Sequence, residues 1–244
     1  MNEFIHGRVI FAGDGAHQVS PFGARGANSG LEDAENLAWK LDSVLRGASP
    51  EALVASYHVE RSAAADENIR ESTRSPDFMA PNSHQEARLR KAVLSLARET
   101  EFGKRMVNGG RLSTPSVYAT PLSTADGDTW RGGPVPGASM PDAPVTGAHG
   151  EQIFLTDAFI KAGMRFTLLE FGNGAAPERP DGLATIRIGS NDGLVDSAGL
   201  AAQRYDAEPG TAYLLRPDGY VAARFRRPTR EGLDAALARA AGHH

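Results

Sequence analysis

The sequence predicts an α/β chain in two parts: a strand–loop–helix unit carrying a helical segment, then a cysteine-free α/β sandwich. Three observations carry this. The 244 residues, 41% of them hydrophobic, suffice for one large core or two modest ones. Glu32 to Met106 is rich in Ala, Leu, Glu and Arg with few glycines, whereas Asn108 to Gly150 is crowded with Gly-Gly, Thr-Pro and Pro-Gly pairs. Beyond that stretch, short β-type runs alternate with turns and end in a helical pattern. The expected division is 1–110, a linker over 111–130, and 131–244.

Arg8-Val9-Ile10-Phe11-Ala12 is a continuous apolar run ending at Gly13-Asp14-Gly15, the pattern of a buried strand in a parallel sheet. Ligands of such sheets sit beyond the carboxyl ends of the strands, which places Asp14 where a ligand would be. The other reading of Gly13-Asp14-Gly15 is a plain turn. Next, the glycine-spaced loop Pro21 to Gly30 runs into an amphipathic helix with Leu31, Ala34, Ala38, Leu41 and Leu45 on one face, stopped by Gly47. Asn28 or Ser29 is the expected N-cap. Such a helix opening presents backbone N–H groups at the positive end of the macrodipole, suited to a phosphate, a carboxylate or a delocalised anion.

Ser49-Pro50-Glu51 starts a second helix expected to run to about Ser72. A third, Gln85 to Val107, carries Leu89, Val93, Leu96 and Ala97 at core spacing and a solvated arginine face. In the last part, 166–171, 184–188, 213–215 and 220–225 read as strands, the final two joined through Pro217-Asp218-Gly219. Arg216 and Asp218 read as turn chemistry. Thr229 caps a closing helix with Leu233, Ala236, Leu237 and Ala240 on one face.

Composition excludes several function classes. With no cysteine, there are no disulfides, thiolate metal sites, thiol nucleophiles or dithiol redox chemistry. A net charge of −4 with both signs interspersed lacks the basic surface a nucleic acid requires. The chain has neither an apolar run of about eighteen residues nor a basic-then-apolar start, so no membrane partner is expected and the cytoplasm is the expected location. His6, His17, His58 and His84 show no metal-ligand spacing. His17 is read as ordering its loop, the rival role being a general base. Ser29 is out of register for a nucleophile elbow.

Gly13-Asp14-Gly15-Ala16-His17, then Pro21, Gly23, Gly26, Asn28, Gly30, Asp33 and Asn36-Leu37-Ala38-Trp39-Lys40-Leu41 resemble the second flavin-binding motif of the single-component FAD-dependent aromatic hydroxylases, the p-hydroxybenzoate and phenol hydroxylase-like flavoprotein monooxygenases. Tyr57-His58-Val59-Glu60-Arg61 resembles the Tyr-x-x-Glu-Arg helix that follows it. The sequence departs from the motif at Ser20 and Ala24, where the family more often has Pro and Gly. The resemblance implies FAD as cofactor and NAD(P)H as co-substrate. It further implies O2 as oxidant, through a flavin C4a-hydroperoxide, and an aromatic, phenolic small molecule as substrate. It implies that Asp14 hydrogen-bonds the ribityl chain, that Pro21 lines the flavin ring, and that the backbone of Gly26, Ala27 and Asn28 faces the N1–C2=O edge. It assigns no acid–base residue to this chain.

In that family a Gly-x-Gly-x-x-Gly βαβ unit of about 30 residues seats the FAD pyrophosphate. This sequence has no such motif, so its expected partner is a missing N-terminal FAD- and substrate-binding portion, without which it is expected to be inactive. Standing alone, its apolar helix faces are expected to self-associate, giving a homodimer. The alternative reading is a non-catalytic assembly or dimerisation module derived from such an enzyme. Arg216-Pro217-Asp218-Gly219-Tyr220-Val221 is similar to an element of the thioredoxin-like C-terminal domain of phenol hydroxylase-type enzymes, here redox-inert for want of cysteine. His243-His244 is assigned no role.

Overall fold

The computed structural model describes residues 1–19, 25–108, 115–172, 180–189 and 193–243, the side chains of 73–77 and 108 excepted. The chain divides into two compact units, Met1–Leu37 with Tyr57–Pro115 and Ala38–Ser56 with Ser116–His244.

In the first unit β1 (Ile5–His6) and β2 (Val9–Ile10) pair antiparallel, Ile5 with Ile10 and His6 with Val9. This corrects the expectation of a buried parallel strand over residues 8–12. Gly7 takes a left-handed φ of +61°, which lets the chain double back in a two-residue turn. Val9 is left 57% exposed. A short apolar run carries no mark that separates a parallel core strand from a hairpin arm. Phe4, Ala16, Tyr57 and Ala65 form a small core behind the hairpin, and the Tyr57 hydroxyl donates to Phe11 O at 2.8 Å.

Helix α1 is Arg25–Leu45 and α2 is Ala52–Met79, several residues longer than expected. Because α1 already runs from Arg25, Asn28 and Ser29 lie inside its first turns rather than at the N-cap. Ser29 is turned inward and only 1% exposed. The single helix expected over 85–107 is two, α3 (His84–Glu99) and α4 (Glu101–Asn108). Ser83 and Glu86 make a reciprocal capping box at the start of α3. At its end Thr100 turns extended, and its hydroxyl accepts the Gly103 N–H at 3.0 Å, capping α4. Of the residues at core spacing, Val93 is buried whereas Leu89 is 64% exposed.

The second unit is built on a four-stranded sheet in the order β6-β5-β7-β8, with β5 (Thr167–Phe171), β6 (Ala184–Ile188), β7 (Ala212–Leu215) and β8 (Val221–Phe225). β5 runs parallel to β6 and antiparallel to β7, and β7 and β8 form the expected hairpin. Both faces are covered. Leu169, Phe171, Ile186, Tyr213 and Val221 pack on one side with Leu155 and Phe159. Leu214, Ala222 and Ala223 pack on the other against Ala236 and Ala240 of α7 (Arg230–Ala240), which Thr229 caps as expected. Three further elements had no clear sequence signal: the hairpin of β3 (Pro144–Thr146) with β4 (Gln152–Phe154), α5 (Leu155–Lys161), and α6 (Leu200–Arg204). Each is seven residues or shorter, below the length at which periodicity speaks.

Residues 118–137 run along β8. Thr124 N–H donates to Ala222 O and Gly137 N–H to Val221 O, at 2.8 and 2.7 Å. Arg224 pairs with Asp126 at 2.6 Å, and the Trp130 ring lies 4.3 Å from the Arg224 guanidinium carbon and 3.8 Å from that of Arg226. Arg216 and Asp218 do more than shape a turn. The Arg216 side chain is fully buried, bonded twice to Asp218 and surrounded by the rings of Trp39, Tyr118 and Tyr220. Among the described residues no helix is long and apolar enough to cross a membrane.

Candidate cofactor site

The segment after β2 bends into a single 3-10 turn, Gly13–Gly15, and Asp14 at its centre is exposed. Asp33, two turns into α1, holds this turn in place. Its Oδ2 accepts the Gly13 N–H at 2.7 Å and contacts His17 Nε2 at 2.7 Å, while Oδ1 accepts Arg61 Nε at 2.6 Å. Neither Asp33 nor Arg61 has any exposed surface. Arg61 continues the network to Glu32 at 2.9 Å and to Ser29 O and Oγ at 3.1 Å each. Asn68 then accepts Arg25 Nη1 at 2.9 Å. Deeper in the same unit, Asn36 donates to Glu60 at 2.8 Å.

Burial acts to raise the Asp33 carboxyl, but the hydrogen bonds from His17 and Arg61, the Arg61 charge and the Gly13 N–H outweigh it. They hold Asp33 below the usual carboxylate range. The carboxylate is therefore ionised and locked, and its work is geometric: it fixes the Gly13–Gly15 turn to the first half of α1. The approach is close, since a Cβ on Gly30 would stand 3.6 Å from the Gly13 Cα. His17, 6% exposed and stacked on Phe4 at 5.7 Å between ring centroids, serves this frame as a structural residue.

Of the five residues singled out from sequence, Pro21 lies outside the described residues, as do Ser20 and Ala24. Gly26, Ala27 and Asn28 occupy the first turn of α1, Gly26 half-buried and the other two exposed. Asp14 and that turn are brought into one frame through Asp33. The donor set fits a flavin: an exposed carboxylate for hydroxyl groups, and a helix opening of small residues for a negatively charged ring edge. Asp33, Arg61, Ser29 and Asn68 are the framing residues that sequence reasoning left without a role. A signal was present, because Arg25, Ser29, Asp33, Asn36 and Lys40 recur at helical spacing as a polar face opposite the apolar one.

Residues 1–72 match the family model described as FAD binding domain, and residues 133–243 match the one described as aromatic-ring hydroxylase, C-terminal. The chain is 32% identical over 234 residues to a dialkyldecalin synthase of Streptomyces rugosporus, covering 96% of this chain and 41% of that protein. It is 31% identical over 234 residues to a protein named probable NADH-specific resorcinol 4-hydroxylase of Rhodococcus jostii, covering 90% and 40%. Among solved structures, the flavin-dependent monooxygenase PieE in complex with FAD and substrate superposes with a TM-score of 0.72 at 26% identity, over 99% of this chain and 49% of that one. The chain thus spans about two fifths of the length of the curated relatives it matches. With a flavin-type turn and helix at one end and the hydroxylase-specific domain at the other, the chain belongs to the FAD-dependent aromatic-ring hydroxylases, of which it carries the C-terminal part.

Proposed function

We propose that the chain is the C-terminal portion of a FAD- and NAD(P)H-dependent monooxygenase that hydroxylates a phenolic or aromatic substrate with O2, and that it is inactive without an N-terminal FAD- and substrate-binding portion. Residues 1–110 supply part of the FAD-binding domain, 111–130 a linker, and 131–244 a thioredoxin-like domain that, lacking cysteine, serves packing or dimer contact. The observation that carries the reading is the Asp33 bridge, which ties the Asp14 turn to the opening of α1.

In this reading Asp14 accepts hydrogen bonds from the ribityl hydroxyls. Pro21 lines the ring. The first turn of α1, through the backbone of Gly26, Ala27 and Asn28, places the positive end of the helix dipole against the N1–C2=O edge and stabilises negative charge there. FAD, when bound, supplies the electron transfer from NAD(P)H and the activation of oxygen. Asp33, Arg61 and His17 hold the frame and touch neither flavin nor substrate.

The test is a fusion of this chain to the N-terminal portion of the Rhodococcus jostii relative. After incubation with FAD and gel filtration the fusion should remain yellow and oxidise NADH or NADPH faster when resorcinol is added. A fusion that folds, by circular dichroism, yet emerges colourless would overturn the flavin reading and leave the assembly-module alternative standing.

A further inference from the structure

Helix α1 is inside out for a surface helix. Arg25, Ser29, Asp33, Asn36 and Lys40 form its buried face. Ala27, Leu31, Ala34, Ala38, Leu41 and Leu45 fall on the opposite side, within a sector of about 80° at about 100° per residue. Leu31 is 65% and Leu45 83% exposed, and no charged residue interrupts this stripe. The polar face cannot exchange places with it. Asp33 and Arg61 are ionised, fully buried and mutually bonded, and turning them to solvent would break the network that fixes the Gly13 turn. A helix whose charged face is satisfied within its own chain and whose apolar face is bare is a layer between two cores, one of which is absent here.

Size identifies the absent layer. The stripe spans 18 residues, about 27 Å at about 1.5 Å per residue, and a helix about 10 Å wide then offers about 270 Å². A stable interface between two copies takes about 800 Å² per partner. The stripe is too small to hold a second copy but ample for an element that belongs to the same domain. The matched relatives are more than twice as long as this chain, and the FAD-binding match ends at residue 72 while a hydroxylase C-terminal domain follows it.

We propose that the outer stripe of α1, centred on Leu31 and Leu45, is the docking surface for the remaining FAD-binding portion that these relatives contain and this sequence does not. The occupant is an apolar layer of that portion, and the surface is what makes the FAD-binding domain whole. This rests on the hydroxylase reading above, which names the partner.

The experiment co-expresses the 244-residue chain with a separate, tagged polypeptide carrying the N-terminal portion of the Rhodococcus jostii relative. Leu31→Glu and Leu45→Glu are compared with wild type, and Ile160→Glu, 54% exposed on α5, is the control. Both stripe variants should melt at the temperature of wild type when alone, because their side chains are already exposed. Wild type and Ile160→Glu should be captured in equimolar amount and the stripe variants at least about tenfold less, a difference of about 1.4 kcal/mol. Equal capture of the stripe variants overturns the proposal, as does failure to capture wild type. A concentration-dependent dimer of the chain alone that Leu31→Glu makes monomeric would give the stripe to a second copy and also overturns it. Flavin absorbance is read separately. A complex without flavin defeats the flavin reading and leaves the docking surface intact, whereas a flavin-bearing complex of the stripe variants does the reverse.

Discussion

The indole N–H of Trp39 donates to Asp218 Oδ2 at 3.0 Å, and that carboxylate is the one that holds the buried Arg216 guanidinium, whose carbon lies 5.2 Å from the indole centroid. One carboxylate thus joins α1 to the β7–β8 hairpin within the second unit. Asp218→Asn keeps the shape but leaves the Arg216 charge buried without its counter-ion, and should cost about 3–5 kcal/mol. Trp39→Phe keeps the ring and loses one hydrogen bond, and should cost about 1 kcal/mol. Urea unfolding measures both. Near-equal losses would mean that the ion pair contributes no more than the indole contact.

Asp33 predicts an acid limit. Its carboxyl titrates lower in the folded chain than in the unfolded one, so its stabilising contribution is complete above the unfolded value of about 3.9 and is lost as pH falls through the folded value. Thermal melts of wild type should therefore fall more steeply below about pH 4 than those of Asp33→Asn, which is less stable at neutral pH but lacks this titration. Parallel curves would show that other carboxylates set the acid limit.

Asp14 is exposed, so Asp14→Ala should leave the melting temperature of the 244-residue chain unchanged. In the fusion described above it should weaken FAD retention by about 1–3 kcal/mol, roughly 5- to 150-fold in dissociation constant. Fluorescence titration of the apo-fusion with FAD measures this, and unchanged affinity would remove Asp14 from the flavin site.

Leu169 on β5 is fully buried between the sheet and the α5 side of the core. Leu169→Ala should cost about 2–5 kcal/mol, the range for a core leucine whose cavity collapses only in part. Leu45→Ala, at 83% exposure, should cost less than about 0.5 kcal/mol in this chain. Denaturant midpoints compare them directly.

Much of the second unit was legible in the sequence. The four sheet strands, their hairpin and the Thr229 cap stand where alternation and turn chemistry placed them, because apolar runs bounded by Gly, Pro and Asp have one reading when several recur together. The break at Thr100 was not legible, since a single β-branched residue in a helical pattern ends a helix only when its hydroxyl finds the next turn to cap. The role of Arg216 was also hidden. Its buried partners Trp39 and Tyr118 lie about a hundred residues or more away in sequence, and local turn statistics know nothing of them.

By itself the sequence determined that α1 has a polar face and an apolar face, that a Gly-Asp-Gly turn precedes it, and that sulfur plays no part in the chemistry. It could not say which face of α1 points inward, because helical periodicity separates the two faces without ranking them. Tertiary structure decided that. Arg61, arriving from α2, supplies the charge and donors that make burying Asp33 cheaper than exposing it, and the turn carrying Asp14 follows Asp33 into place.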